Sequence, residues 1–246
     1  LLLHNVRGTL ADRVLLVAPL APAAAQESTG WDWQLTPYFW APSISTDLRE
    51  DAPPVGSDTE FADIIDKIDG AFLGRAEGQG DSFGAFADLL FLSLSDDKQH
   101  TRSSTSSDLD ATVYEMAAVW SPGQTRYRGI EVFGGLRYMD VDLKVGIDPI
   151  DPAFLSRSFE ADRSYSDFML GLRYRDDFSE KWGYSLRADG SWGDTEGSYN
   201  AIATLYRQTG NGEWSFGYRY FDTELRAFNS TVTLTLNGPV VGYTFR

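Results

Sequence analysis

From about residue 31 onward, apolar and polar residues alternate with a period of two, in segments separated by turn-forming residues. Successive side chains of a strand point to opposite faces, so this period predicts strands whose two faces differ in character. Ten segments follow the pattern, near 31–45, 70–79, 83–95, 109–120, 128–143, 162–175, 182–193, 198–207, 213–225 and 231–246. In 182–193, Trp182, Tyr184, Leu186, Ala188 and Trp192 share one face, and Ser185, Arg187, Asp189 and Ser191 share the other. In 162–175, Phe168, Leu170, Leu172 and Tyr174 oppose Asp167, Met169, Gly171, Arg173 and Arg175; in 213–225, Trp214, Phe216, Tyr218 and Tyr220 oppose Ser215, Gly217 and Arg219. The segment 83–95 is ambiguous, because Leu89, Leu90, Phe91 and Leu92 make both faces apolar and Asp88 alone marks a polar one.

Three copies of one tetrapeptide repeat the two-faced design: Gly135-Leu136-Arg137-Tyr138, Gly171-Leu172-Arg173-Tyr174 and Gly217-Tyr218-Arg219-Tyr220. Each places Gly and Arg on one face and large apolar or aromatic residues on the other. A soluble sheet buries its apolar face, but here that face is broad and aromatic while the polar face carries large charges. This is the pattern of a transmembrane barrel with lipid outside and a polar lumen inside. The predicted fold is all-β: a closed, antiparallel, up-and-down transmembrane β-barrel of about ten strands, with eight or twelve also compatible. A secreted calyx, the soluble alternative, would turn the apolar faces inward around a greasy ligand.

The connections fall into two kinds. Gly80-Asp81-Ser82, 121–127, 176–181 and 208–212 are short, and 46–69, 96–108 and 144–161 are long. Outer-membrane barrels have short periplasmic turns and longer outer loops, and an even strand count leaves both termini in the periplasm. In the first long loop, Phe61, Ile64, Ile65 and Ile68 recur at helical spacing behind the capping-box sequence Ser57-Asp58-Thr59-Glu60, with Gly70 as a stop. This predicts one short amphipathic helix. The barrel rim, insertion into the mouth as a plug, or a partner or lipid would have to cover its apolar face.

Composition narrows the function classes. The chain has 21 basic and 36 acidic residues and a pI near 4.4, which argues against nucleic acid, since phosphates require a basic footprint. It has no Cys, so disulfides and thiolate catalysis are excluded. In residues 1–26, Arg7 and Arg13 precede the apolar run Val14 to Leu20, which ends in the small residues Ala21 to Ala25. That is the pattern of a secretory signal peptide, with Leu1 in place of Met reading as an incomplete start. Residues 27–246 then form one barrel domain, in which no run of apolar residues is long enough for a membrane-crossing helix.

The predicted inward charges are Arg75, Glu77, Asp88, Glu115, Glu131, Arg137, Asp167, Arg173, Arg187, Asp189 and Arg219. Their signs nearly balance, so they can pair within a barrel well below the width of the large porins. One reading is a network that holds the interior together. The other is a small-solute or ion channel with Arg137, Arg173, Arg187 and Arg219 as its selectivity charges. The predicted lipid-facing aromatics are Tyr138, Tyr174, Trp182, Tyr184, Trp192, Trp214, Phe216, Tyr218, Tyr220, Tyr243 and Phe245. Acidic residues collect in the outer connections, Asp47, Asp96, Asp148 and Asp194 among them, but no segment has a calcium-loop pattern, and neither a metal nor a cofactor is predicted. His100, in Asp96-Asp97-Lys98-Gln99-His100-Thr101, is the only His after the signal and a weak basis for acid–base chemistry, so no catalytic residue is assigned.

The opening Trp31-Asp32-Trp33-Gln34-Leu35-Thr36-Pro37-Tyr38-Phe39-Trp40, together with Phe61-Ala62-Asp63-Ile64-Ile65, Phe86-Ala87-Asp88-Leu89 and the Gly-x-Arg-Tyr copies, resembles a family of proteobacterial outer-membrane β-barrel proteins. The resemblance covers nearly all of 31–246 and implies a bacterial outer-membrane location. It carries no agreed catalytic residues. Expected partners are outer-membrane lipids, lipopolysaccharide and the barrel assembly machinery. Such barrels usually end on an aromatic residue; here Val241, Tyr243 and Phe245 keep the outward parity and Arg246 follows.

Overall fold

A computed structural model of the chain describes residues 30–49, 55–59, 68–99, 103–123, 126–149, 157–227 and 230–246, and within them the alternating pattern forms twelve strands. These are β1 (Asp32–Trp40), β2 (Ser43–Arg49), β3 (Val55–Thr59), β4 (Ile68–Gln79), β5 (Phe83–Gln99), β6 (Ser103–Trp120), β7 (Gly129–Pro149), β8 (Arg157–Asp177), β9 (Trp182–Gly193), β10 (Gly197–Thr209), β11 (Gly212–Ala227) and β12 (Ser230–Phe245). All pairings are antiparallel. β1 and then β4 to β12 lie side by side, and β1 pairs with β12 to close a barrel of ten strands. Where β1 pairs with both β4 and β12, closure leaves no free edge, the condition for a sheet to sit in lipid.

β2 continues the line of β1 after a break at Ala41-Pro42. It pairs with residues 231–237 of β12 and carries β3 on its far side. Pro42 has no N–H to give to a ladder, and Ala41 bridges the break by donating its N–H to the Pro239 carbonyl (3.0 Å). The short turns at Gly80–Ser82, 178–181 and 210–211 gather at what is here called the lower end, and the long hairpins rise from the upper end.

Two expectations for the outer connections are corrected. Residues 57–59, read as a helix cap, lie in β3, and Ile68, read as the last apolar residue of that helix, lies in β4. Phe61, Ile64 and Ile65 fall outside the described residues. Ser57-Asp58-Thr59 finds its hydrogen bonds across a hairpin with β2, and a ladder satisfies backbone groups as fully as a capped helix. The segments 96–108 and 144–161, read as long loops, are largely strand. β5 and β6 pair as far as Gln99↔Ser104, and β7 and β8 as far as Ile147↔Arg157. Above the apolar belt both faces of a strand meet polar surroundings, so the period-two signal fades while the backbone ladder continues.

The interior has two levels. At the lower and middle level the inward positions are charged or hydrogen-bonding. One inward step higher along each strand, two residues on, the same face turns apolar: Arg75 gives way to Leu73, Asp88 to Leu90, Glu115 to Val113, Arg137 to Met139, Asp167 to Tyr165 and Arg219 to Phe221. Leu73, Met139, Tyr165 and Phe221 join Trp40 in a buried cluster against which Leu90, Val113, Leu225, Leu236 and Val240 pack. The ambiguous strand β5 thus has Phe86, Asp88 and Leu90 inward, with the exposed Phe83 and Phe91 outward.

The glycines of the Gly-x-Arg-Tyr copies mark where this narrow interior has no room. A Cβ on Gly171 would lie 2.3 Å from the Phe133 ring and 2.5 Å from the Asp189 Cβ, and one on Gly217 would lie 2.1 Å from the Ala203 carbonyl oxygen. Gly171→Leu should therefore lower unfolding stability by about 1–3 kcal/mol through overpacking. The measurement is the urea midpoint of refolded protein; a midpoint equal to that of the parent would show that the wall has slack at this point.

Candidate functional site: the charged lumen

Register brings the charges into rows. Arg75, Asp88, Glu115, Arg137 and Asp167 are consecutive cross-strand neighbours on β4 to β8, so opposite charges meet at three of the four steps. A second row runs Glu131, Arg173, Arg187, Ile202 and Arg219 across β7 to β11. There two arginines stand side by side, which is tolerable only if carboxylates reach them from across the lumen.

They do. Arg137, completely buried, donates from Nε and Nη2 to Glu115 Oε1 (2.9 and 2.7 Å), from Nη2 to Asp189 Oδ1 (2.5 Å) and from Nη1 to the Ser198 hydroxyl (2.8 Å). Arg187 donates to the other oxygens of the same two carboxylates, Asp189 Oδ2 at 2.8 Å and Glu115 Oε2 at 2.7 Å. Glu115 and Asp189 are thus each held between two guanidiniums, the geometry in which charge-assisted bonds are strongest. Asn200 donates to Asp189 Oδ2 (2.7 Å) and accepts from Arg219 Nε (3.0 Å), tying Arg219 to the cluster. Asp167 accepts from the hydroxyls of Ser191 (2.9 Å) and Thr195 (2.6 Å), so it is met by hydroxyls although its cross-strand neighbour is Arg137.

A second cluster lies nearer the lower end. Glu77 accepts from Arg75 (2.9 Å, Nη2) and Arg173 (2.8 Å, Nη1), and Arg173 Nε also reaches Glu131 (2.5 Å), which accepts from Gln79 and from the Ser121 hydroxyl (3.1 Å). Asp88 accepts from the Tyr38 hydroxyl at 2.7 Å and lies 3.7 Å from Arg75. Guanidiniums also stack on rings: Arg75 is 3.6 Å from the Phe86 centroid and Arg187 is 4.9 Å from that of Phe133. All eleven charges proposed for the lumen are therefore inward and joined in two linked clusters. A set of neutral and charged partners outside that list completes them: Gln79, Asn200, Ser191, Ser198, Tyr38 and, lower down, Arg175 with Glu213. Strand parity alone would have found Gln79 and Glu213, which share faces with Glu77 and with Ser215.

The floor is tied to this network from below. In the turn after β6, Tyr127 takes φ 57° and gives its N–H to Gln79 Oε1 (2.5 Å), while Arg126 donates to Asp32 (2.8 Å) and Asp81 (2.9 Å). Burial, and then the Glu77 charge, push the Tyr127 phenol above its ordinary pKa, and the hydrogen bonds to Asp32 and Asp81 raise that of Arg126.

The outer surface is the reverse of the lumen. Leu136, Phe168, Leu170, Leu172, Leu205, Phe216 and Tyr218 are each about half exposed or more, a surface that water would not tolerate as a continuous belt. The proposed lipid-facing aromatics Tyr138, Trp182, Trp192, Trp214, Phe216, Tyr218, Tyr220 and Phe245 are exposed on this exterior, and Tyr174, Tyr184 and Tyr243 are partly covered on it by ring contacts. At the lower edge the Tyr174 hydroxyl donates to Asp176 (3.2 Å); at the upper edge Tyr218 donates to Asn237 (2.6 Å). Rings that sit in an apolar belt with hydroxyls directed to polar rims are the girdles of a bilayer-spanning strand ring. Among the described residues no helix is long and apolar enough to cross a membrane.

Fold and exterior together define the class: a transmembrane β-barrel of the bacterial outer-membrane type. No protein-family model and no curated protein sequence matches the chain. Among solved structures it is similar to outer membrane protease OmpT from Escherichia coli, at 9% identity and a TM-score of 0.47 over 89% of this chain and 99% of that one. It is also similar to Ail, the attachment invasion locus protein of Yersinia pestis, at 9% identity and 0.39 over 88% and 99%. The translocator domain of autotransporter NalP from Neisseria meningitidis matches at 14% identity and 0.38 over 90% of each chain. The activities these names carry belong to those proteins.

Two substitutions test the two faces. Arg137→Ala leaves Glu115 and Asp189 with Arg187 as their one shared guanidinium and should cost about 3–5 kcal/mol in urea unfolding; a cost under 1 kcal/mol would mean that water replaces the guanidinium freely. Leu172→Arg on the exterior should cost roughly 2–4 kcal/mol in lipid vesicles, as expected near a bilayer midplane. An unchanged stability there would place this face in water.

Proposed function

We propose that this chain is an integral protein of the bacterial outer membrane whose lumen is sealed by its own ion pairs, and whose role in the envelope is structural or one of surface interaction. One observation carries the reading: within the barrel Arg137 and Glu131 are 0% exposed, Asp167 1% and Glu115 2%. A pore needs a continuous wet path, and side chains along such a path would keep contact with water. In a barrel of this width the paired charges take the space that water fills in larger barrels. No reaction is assigned to the chain, and His100, the residue around which one would be sought, lies outside the described residues.

The alternative, a small-solute or ion channel selective through Arg137, Arg173, Arg187 and Arg219, makes an opposite electrical prediction. Refolded protein in planar bilayers should show no steady open level. The double variant Glu115→Ser with Arg137→Ser, which removes a carboxylate and a guanidinium from the seal together, should conduct. A steady ohmic state in the parent protein would overturn the sealed-lumen reading and establish the channel.

A further inference from the structure

The apolar upper level of the interior contains a cavity of about 100 Å³, walled by Leu90, Met139, Tyr165, Phe221, Leu234 and Leu236 among others. The charge clusters lie beneath it, so it is closed toward the lower end. A second apolar space of about 50 Å³ adjoins it and shares Trp40, Leu90, Leu92 and Leu236 with it. This second space reaches the outward face of the wall. Its lining includes Phe39 and Phe91, which face outward at the top of the apolar belt and are 45% and 37% exposed, together with the inward residues Trp40 and Leu73. The chain topology explains its position. β1 pairs with β4 only as far as Pro37↔Gly74, the chain then breaks at Ala41-Pro42, and β2 follows β12. Among the described residues, the part of β4 above Gly74 has no paired strand on that side, and β3 is the strand that β2 turns toward it.

Two buried polar atoms in this chamber have no hydrogen-bond partner among the described residues. They are Trp40 Nε1, on a side chain lining both spaces and 6% exposed, and Thr223 Oγ1, on a residue lining the larger space and 1% exposed. A buried donor left without an acceptor is unfavourable, and native structures seldom keep one without a reason. The two spaces together match the size of an apolar void of about 150 Å³, which stays dry and takes up benzene or xenon.

We infer that this upper chamber is a binding site for a small apolar molecule carrying one hydrogen-bond acceptor, such as an aromatic ketone, admitted from the membrane side past Phe39 and Phe91. Leucine and aromatic side chains hold its hydrocarbon body, and its oxygen accepts from Trp40 Nε1. The mouth opens at the rim of the belt, so a molecule dissolved in the outer half of the bilayer reaches it without crossing water. The site goes beyond a sealed lumen and depends only on the barrel's insertion in lipid.

The test uses the full barrel in phospholipid nanodiscs, labelled with 5-fluorotryptophan, with the Trp40 resonance assigned by Trp40→Phe. Acetophenone is titrated in, and in a separate series isopropylbenzene, which has the same shape without the oxygen. The Trp40 resonance should shift saturably with acetophenone, and the hydrocarbon should bind roughly five- to tenfold more weakly, the worth of one hydrogen bond. Leu236→Trp, which fills the chamber, should abolish the shift while the protein keeps the heat-dependent gel mobility of a folded barrel. Phe39→Ala, at the mouth, should speed exchange and leave affinity nearly unchanged. Several results would overturn the site: a shift that rises without saturation alongside those of the exterior Trp182, Trp192 and Trp214, equal affinities for the two probes, or a saturable shift that survives in folded Leu236→Trp. A Trp40 signal that responds to brominated lipid chains and is not moved by acetophenone would make a lipid chain the occupant and end the proposal as stated. Failure of any of these with insertion and gel mobility intact leaves the barrel reading standing.

Discussion

A ring of ten strands is narrow, and that constraint governs the rest of the structure. An inward charge far from bulk water must find its counter-charge within a few ångströms. The solution is sharing. Glu115 and Asp189 each serve Arg137 and Arg187, Glu77 serves Arg75 and Arg173, and Asn200 links Arg219 to Asp189. Removing one member would leave several others unsatisfied, so the network acts as a unit.

The same constraint explains the repeated tetrapeptide. The glycine of each copy stands where a side chain would collide with the neighbouring strand or with a lumenal ring. Gly171 leaves room for the Phe133 ring, against which Arg187 lies. The tyrosine and leucine of each copy belong to the opposite face, where they meet lipid and interact with girdle neighbours such as the Tyr114–Tyr138 pair. One short motif thus serves the lumen and the bilayer at once, because consecutive residues of a strand live in different solvents.

Above the charges the interior changes character without any change in strand direction. The inward positions two residues higher are leucine, valine, methionine, tyrosine and phenylalanine, and they enclose an apolar space. Charge below and hydrocarbon above divide the interior into two levels. The lower level depends on electrostatics at close range, and the upper level depends on packing.

The sequence by itself determined the fold class, the strands that lie within the belt and the face of each lumenal charge, because a period of two is a local property that needs no partner to be read. It also suggested what the structure overturned. Ser57-Asp58-Thr59 imitates a helix cap, yet the hairpin with β2 claims those backbone groups; the polar stretches above the belt read as loops because a strand in water on both sides has no alternation to display. Only the tertiary structure decided which charges meet, since Arg137 on β7 finds Asp189 on β9, past the intervening β8, at a separation of 52 residues. It alone revealed the chamber at Trp40, because a cavity is set by the register of strands distant in sequence and by the break at Ala41-Pro42, and the register is not written in the pattern of any single strand.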